Sequence, residues 1–266
     1  MNAPRSIADT FESIALSLVD AARPLAKSYF RTTLNVERKA DSSPVTEADR
    51  AIEESMRAVL RKACPNHGIL GEEFGLSGQD ARYIWVLDPI DGTKSFVSGV
   101  PLFGTLVSLL EDGKPVLGVI DMPMLGETWV GQIGKPTRFN GVPSHTSRNS
   151  RLESAALFAT SPDQFTPQEN CVFEELGRNC ASRRFGGDCY SYGLLASGHV
   201  DLILEAELQP YDFMALVPVV SGAGGVITDW SGAPLTLVSS GQVLAAANPE
   251  LHRAALEIVS KANRAD

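Results

Sequence analysis

Two carboxylates stand on either side of a proline in Trp85-Val-Leu-Asp88-Pro-Ile-Asp91-Gly-Thr-Lys-Ser-Phe96, and a Gly-Thr pair follows them at what reads as a helix start. Carboxylate oxygens are donors for a hard cation. The backbone N–H groups of Gly92, Thr93, Lys94 and Ser95 are free at such a start, the arrangement that binds phosphate oxygens. Carboxylates for a cation beside amides for an oxyanion make the chemistry of a metal-dependent phosphatase. Asp-Pro and Asp-Gly are also common turn formers, so the stretch alone would serve a plain turn as well.

The elements around it must position these groups. Trp85, Val86 and Leu87 give a short buried-strand signal that Pro89 ends, which predicts Asp88 at a strand tip. Upstream, Ile7, Phe11, Ile14, Leu18 and Leu25 recur at helical spacing and predict an amphipathic helix that bends or ends near Pro24. Pro44 and Thr46 read as the opening of a second helix, with Ile52, Met56, Val59 and Leu60 on its inner face. Asp49, three residues after Thr46, fits a capping-box position as well as a functional one. In Ile69-Leu-Gly-Glu72-Glu73-Phe-Gly75 two adjacent acids end an apolar run. Neighbours on a strand point to opposite faces, so one acid at most looks into a given site; a solvated turn is the alternative. Residues 102–110 and 115–122 read as a hairpin joined by Glu111-Asp-Gly-Lys114, and Glu127 to Ile133 as a third strand.

Residues 136–151 are polar, rich in Gly, Pro, Ser and Asn, and suggest a boundary between domains at 1–148 and 149–266. Beyond it, Ala155 to Ala159, Asp201 to Glu205 and Gly225 to Asp229 read as strands, and Cys189 to Ala196 as a helix. Gly222-Ala-Gly-Gly lacks the Lys-Ser/Thr of a nucleotide loop and reads as a helix-ending turn. Tyr211-Asp212-Phe213 opens a helix through Leu216, Val217 and Val220, where Asp212 suits the helix dipole. Asn248-Pro-Glu starts a last helix. Helices and strands in separate blocks predict an α+β fold.

Composition narrows the function. The 266 residues carry a net charge of −9 and no basic block, which excludes a phosphate-backbone binder of nucleic acid. An acidic chain that handles phosphate needs a cation as intermediary. Cys64, Cys171, Cys180 and Cys189 form no C-x-x-C pair, and free thiols in a reducing cytoplasm are expected. The four histidines lack zinc spacing, and no apolar run approaches membrane-spanning length.

Gly71-Glu72-Glu73, Asp88-Pro-Ile-Asp91-Gly-Thr93 and Tyr211-Asp212 with Gly224-Gly225, in this order over nearly the whole chain, resemble the inositol monophosphatase family. The resemblance implies a five-layer α-β-α-β-α sandwich, Mg²⁺-dependent and lithium-sensitive hydrolysis of small phosphate esters, and a homodimer. By the same resemblance Glu72, Asp88, Asp91 and Asp212 bind metal, and Ile90 lends a carbonyl. Thr93, supported by Asp49, orients the attacking water, with Glu72 also in a catalytic role. Two or three Mg²⁺ ions are implied, with Mn²⁺ as a substitute. Mg²⁺ keeps waters in octahedral oxygen coordination; one ion would lower the pKa of a water that attacks phosphorus in line, and a second would stabilise the leaving oxygen. Amides of Gly92 and Thr93 would meet the equatorial oxygens. The D-x-x-D spacing is not the D-x-D of an aspartyl nucleophile.

Lys94 after Gly-Thr, with Arg184-Phe-Gly-Gly-Asp188-Cys-Tyr-Ser-Tyr and Gln209-Pro-Tyr-Asp212, is similar to the histidinol-phosphate phosphatases of this superfamily. Glu205 falls where inositol phosphatases place a hydroxyl-binding acid. Asp188, Glu205 and Glu207 would suit an ammonium and an imidazole by charge pairing, and Lys94 and Arg184 would meet phosphate or those acids. The expected substrate-binding set is therefore Asp91, Gly92, Thr93, Lys94, Arg184, Asp188, Glu205 and Asp212. A broader inositol-1-phosphate or nucleotide phosphatase and a non-catalytic binding protein are the alternatives. The polar, charged composition of residues 35–43 is compatible with a lid there, which the sequence does not decide.

Overall fold

The computed structural model describes residues 7–33, 36–38 and 44–262. Its first half comprises α1 (Ile7–Tyr29), the short strands β1 (Val36–Arg38) and β2 (Pro44–Thr46), and α2 (Glu47–Ala63). The strands β3 (Gly68–Gly71), β4 (Gly75–Ser77) and β5 (Tyr83–Asp91) follow, then α3 (Thr93–Val97). Next come β6 (Gly104–Glu111), β7 (Lys114–Met122), β8 (Glu127–Gln132), β9 (Lys135–Phe139) and β10 (Val142–Pro143). All but β1 and β2 pair into one eight-stranded sheet in the order β10-β9-β8-β7-β6-β5-β3-β4.

The second half holds β11 (Ala156–Ala159), α4 (Pro167–Arg178), β12 (Ser182–Phe185), α5 (Cys189–Ala196) and β13 (Leu202–Glu205). It ends with α6 (Pro210–Phe213), α7 (Leu216–Gly222), β14 (Val226–Thr228), β15 (Val243–Ala246) and α8 (Pro249–Ala262). Its sheet has five strands in the order β12-β11-β13-β15-β14.

Strand alternation builds the layers. On β5, Trp85 and Leu87 face a core shared with Leu18 of α1 and Ile52, Met56 and Leu60 of α2, whereas Ile84 and Val86 face the opposite core. That second core lies between the sheets and is filled by Leu195 of α5 and Val219 and Val220 of α7. On β13, Ile203 joins it, while Leu202 and Leu204 face a third core with Phe173 of α4 and Leu251 and Val259 of α8. The result is the expected five-layer α-β-α-β-α sandwich.

Two glycines let the middle layer close. Gly118 on β7 and Gly131 on β8 are paired across the ladder. A Cβ on Gly118 would collide with the Ala215 backbone, and one on Gly131 with Pro218 and Val219. The backbone of α7, just after Asp212, therefore rests directly on the sheet.

Several local expectations are corrected. α1 continues through Pro24 to Tyr29: the proline removes one N–H, but buried Leu18, Val19, Ala22 and Ala26 pack on both sides of it. Residues 44–46 pair with 36–38 as a strand, and the second helix starts at Glu47. The rest of the segment weighed as a lid, 35 and 39–43, lies outside the described residues. β5 runs past Pro89 to Asp91 through an irregularity between Asp88 and Asp91, where a missing N–H does least harm. Part of the polar stretch 136–151 forms β9 and β10, joined by Asn140-Gly141 with φ 46° and 82°. The helix expected from Tyr211 to Val220 is broken after Phe213. Pro218 cannot bond the Met214 carbonyl, which instead accepts from the Ser108 hydroxyl at 3.2 Å.

Candidate active site

The apolar strand β5 carries Asp88 into the interior, where it is 2 % exposed. Its Oδ1 accepts from the Ile90 N–H at 2.9 Å, closing the kink around Pro89. Asp91 Oδ2 accepts from the Cys189 N–H, the first residue of α5, at 2.6 Å. Asp212, in the first turn of α6, accepts from the Gln209 N–H at 2.6 Å in a capping box. Each carboxylate is thus fixed by one backbone amide and keeps further lone pairs. Ligand oxygens of Asp88, Asp91 and Asp212 all lie within 4.8 Å of one another.

Such crowding is electrostatically costly without a cation. Burial, then the charges of Glu72, Asp91, Asp212 and Asp49, push the Asp88 carboxyl well up. Burial, then Asp188 and Asp212, do the same to Asp91. Asp212 is pushed up to about 7 chiefly by burial, against its bond from Gln209. Three clustered all-oxygen donors, Asp88 buried and Asp91 and Asp212 half-buried, fit a hard divalent ion, whose charge would restore the ionised forms. Glu72 joins this field from the β3–β4 turn, while its neighbour Glu73 turns to Arg50 at 3.9 Å. One acid of the pair faces the cluster. Asp49 is buried on α2 and close enough to raise Asp88. The Thr93 hydroxyl donates to the Ile90 carbonyl at 3.1 Å, tying two of the expected residues together.

Beside the cluster opens a cavity of ≈ 200 Å³, lined by Glu72, Asp91, Gly92, Thr93, Lys94, Asp188, Glu205 and Asp212. Asp188 has φ 45° and ψ −135°, a strained setting of the kind that costs about 1–3 kcal/mol and is kept by its surroundings. Its Oδ2 accepts from the Ser95 hydroxyl at 3.2 Å and would lie 2.8 Å from a Cβ on Gly92. Burial raises its pKa to about 6, against Ser95 and the charge of Lys94. Glu205 is held harder: Oε1 accepts from the Thr160 N–H at 2.8 Å and from its hydroxyl, and Oε2 from the Tyr192 hydroxyl at 3.0 Å. Burial still raises it to about 7.

A profile of the inositol monophosphatase family matches residues 8–264. The chain belongs to the inositol monophosphatase family. It is 44% identical over 258 residues to the bifunctional phosphatase IMPL2 of Arabidopsis thaliana, across 94% of this chain and 75% of that protein. It is 35% identical to a histidinol-phosphatase of Chlorobaculum parvum, across 94% and 97% of the two chains. A solved inositol monophosphatase from Zymomonas mobilis superposes with a TM-score of 0.88 at 45% identity, covering 96% of this chain and 100% of that one.

Within this inositol monophosphatase scaffold two expected residues fall elsewhere. Arg184 is exposed on β12 and Glu207 is exposed with φ 66°, and neither lines the cavity. The structure adds Thr160, Tyr192, Ser161, Gln164 and Leu208 to the lining. Thr160 was legible, because it directly follows β11 as Gly92 follows β5. Tyr192 closes the Asp188-Cys-Tyr-Ser-Tyr motif, but nothing in the sequence showed that its hydroxyl would reach Glu205. All four cysteines are free thiols, and among the described residues no helix is long and apolar enough to cross a membrane.

Proposed function

We propose that the chain is a Mg²⁺-dependent phosphomonoesterase that hydrolyses L-histidinol phosphate to L-histidinol and phosphate, a step of histidine biosynthesis in the cytoplasm. The observation that carries the reading is one cavity with two chemistries: Asp91 and Asp212 of the Asp88–Asp91–Asp212 cluster line it together with the fixed acids Asp188 and Glu205. Glu72, Asp88, Asp91, Asp212 and the Ile90 carbonyl would hold the two or three ions. Bound there, divalent cations supply charge stabilisation for phosphate and activation of water. The Gly92–Lys94 amides receive phosphate oxygens, and Thr93, held against Ile90, offers its oxygen to the attacking water.

The alcohol end of the substrate then meets Asp188 and Glu205. Burial holds Asp188 and Glu205 above the usual carboxylate range, so a cationic ammonium or imidazolium placed between them returns both to the charged form and binds through charge-assisted hydrogen bonds. Histidinol-phosphatases of Chlorobaculum parvum and, at 38% identity, Mycobacterium tuberculosis support this substrate. Residues 1–148 would carry most metal ligands and 149–266 Asp212 with the recognition acids, in a homodimer. The second reading, an inositol-1-phosphate phosphatase, is favoured by the Zymomonas mobilis structure. Comparing kcat/KM for histidinol phosphate and inositol-1-phosphate decides between them. Preference for histidinol phosphate supports the first; equal or reversed values would discard it and keep the metal chemistry.

A further inference from the structure

Helix α2 grips the turn that presents Glu72 through two buried charged side chains with no part in the chemistry above. Glu53 is fully buried and reaches across to the β3–β4 turn. Its Oε2 accepts from the Glu73 N–H at 2.7 Å and its Oε1 from the Phe74 N–H at 3.3 Å. On the other side of Glu72, a Cβ on Gly71 would collide with the same carboxylate, so the strand can approach only as glycine. Glu72 is therefore flanked by backbone that Glu53 hydrogen-bonds on one side and packs against on the other.

Arg57, one helical turn later and 6 % exposed, completes the grip. It donates Nε to Glu53 Oε1 at 2.6 Å and a terminal nitrogen to the Gly75 carbonyl at 2.5 Å, with its guanidinium carbon 5.8 Å from the Phe74 ring centroid. A lone carboxylate here would add to the repulsion among Glu72, Asp49 and Asp88. Paired with Arg57, Glu53 serves as a backbone acceptor without adding net charge. Asp49 lies one turn before Glu53 on the same buried face, so one rigid helix sets both Asp49 and the Glu72 turn.

We infer that Glu53 and Arg57 are positioning residues for Glu72: they fix the 71–75 backbone and so aim the Glu72 carboxylate at the metal cluster. The inference rests on the metal-dependent reading above. It is tested by titrating Mg²⁺ into metal-free protein calorimetrically for wild type, Glu53→Gln, Glu72→Gln and the double variant, with amide exchange over residues 71–75. Glu53→Gln should weaken Mg²⁺ binding by about 10–100-fold, as loss of a supporting shell does, and speed exchange at Glu73 and Phe74. In the Glu72→Gln background it should cause no further weakening. Arg57→Lys, a milder change that cannot span Glu53 and Gly75 with a fixed fork, should shift Mg²⁺ binding in the same direction by less. A lowered melting midpoint with unchanged Mg²⁺ affinity in both variants would make the pair merely structural and overturn the inference. Equal weakening with and without Glu72 would overturn it too. Failure of the wild type to bind Mg²⁺ would overturn the metal reading and this inference together.

Discussion

Asp88, from the first sheet, and Asp212, from the helix that leads into the middle layer, bring carboxylate oxygens within 4.8 Å of each other. Two mutually repelling carboxylates, one buried and one half-buried, are held together, and α7, which follows Asp212, packs on Gly118 and Gly131.

That seam can be broken on its own. Gly118→Ala or Gly131→Ala forces a methyl into the α7 backbone and should cost about 1–3 kcal/mol, as overpacking does. Because Ala215 follows Asp212 closely, activity should fall along with stability. Denaturant unfolding and phosphate release, measured on the same samples, check it; a fully stable Gly118→Ala protein would refute the close approach.

The cluster's crowding sets a pH dependence. Asp212 is raised to about 7 in the fold from an ordinary value near 3.8, so in the metal-free protein it holds a proton that the unfolded chain has lost between those values. Stability therefore rises as pH falls from about 8 to 5, with a slope of up to about 1.4 kcal/mol per pH unit for one such proton. Mg²⁺ must displace that proton, so its affinity should weaken as pH drops below 7. Melting scans of metal-free and Mg²⁺-loaded protein at pH 5 and 8 test both signs. A metal-free protein that melts lower at pH 5 would contradict the first.

Glu205→Gln keeps the acceptors for Thr160 and part of the Tyr192 contact but removes the charge. Loss of a charge-assisted bond of about 1.5–3 kcal/mol should raise KM for histidinol phosphate by about 10–100-fold. Mg²⁺ affinity should stay as in the wild type. An unchanged KM would remove Glu205 from substrate recognition.

Asp91→Asn removes one of the mutually repelling carboxylates. Phosphate release should drop by more than about 100-fold, beyond the loss typical of outer-shell changes. The metal-free protein should melt no lower than wild type, because the repulsion is relieved. Retained turnover would sink the assignment of Asp91 to the metal site.

Legibility in the sequence followed range. Asp88-Pro-Ile-Asp91-Gly-Thr93 could be read as a site because its strand and helix start are local, although β5 runs on past Pro89 to Asp91, and Asp112-Gly113 marks the β6–β7 hairpin with φ 49° and 75°. Contacts made by packing could not: Tyr192 on Glu205, Glu53 on the Glu73 amide, and the Met214 carbonyl diverted to Ser108 all join distant segments. Helix α4 is a different lapse, since Thr166-Pro-Gln-Glu169 announces its capping box in plain sequence. Pro24 shows the reverse, a strong local breaker overruled by the layers that pack around it.

The most direct test of the account is phosphate release from histidinol phosphate by the wild-type chain in Mg²⁺, after chelation, and after Mg²⁺ is restored. Release that stops on chelation and returns with Mg²⁺ is the predicted result. Undiminished release in excess chelator, or none under any condition, would contradict it.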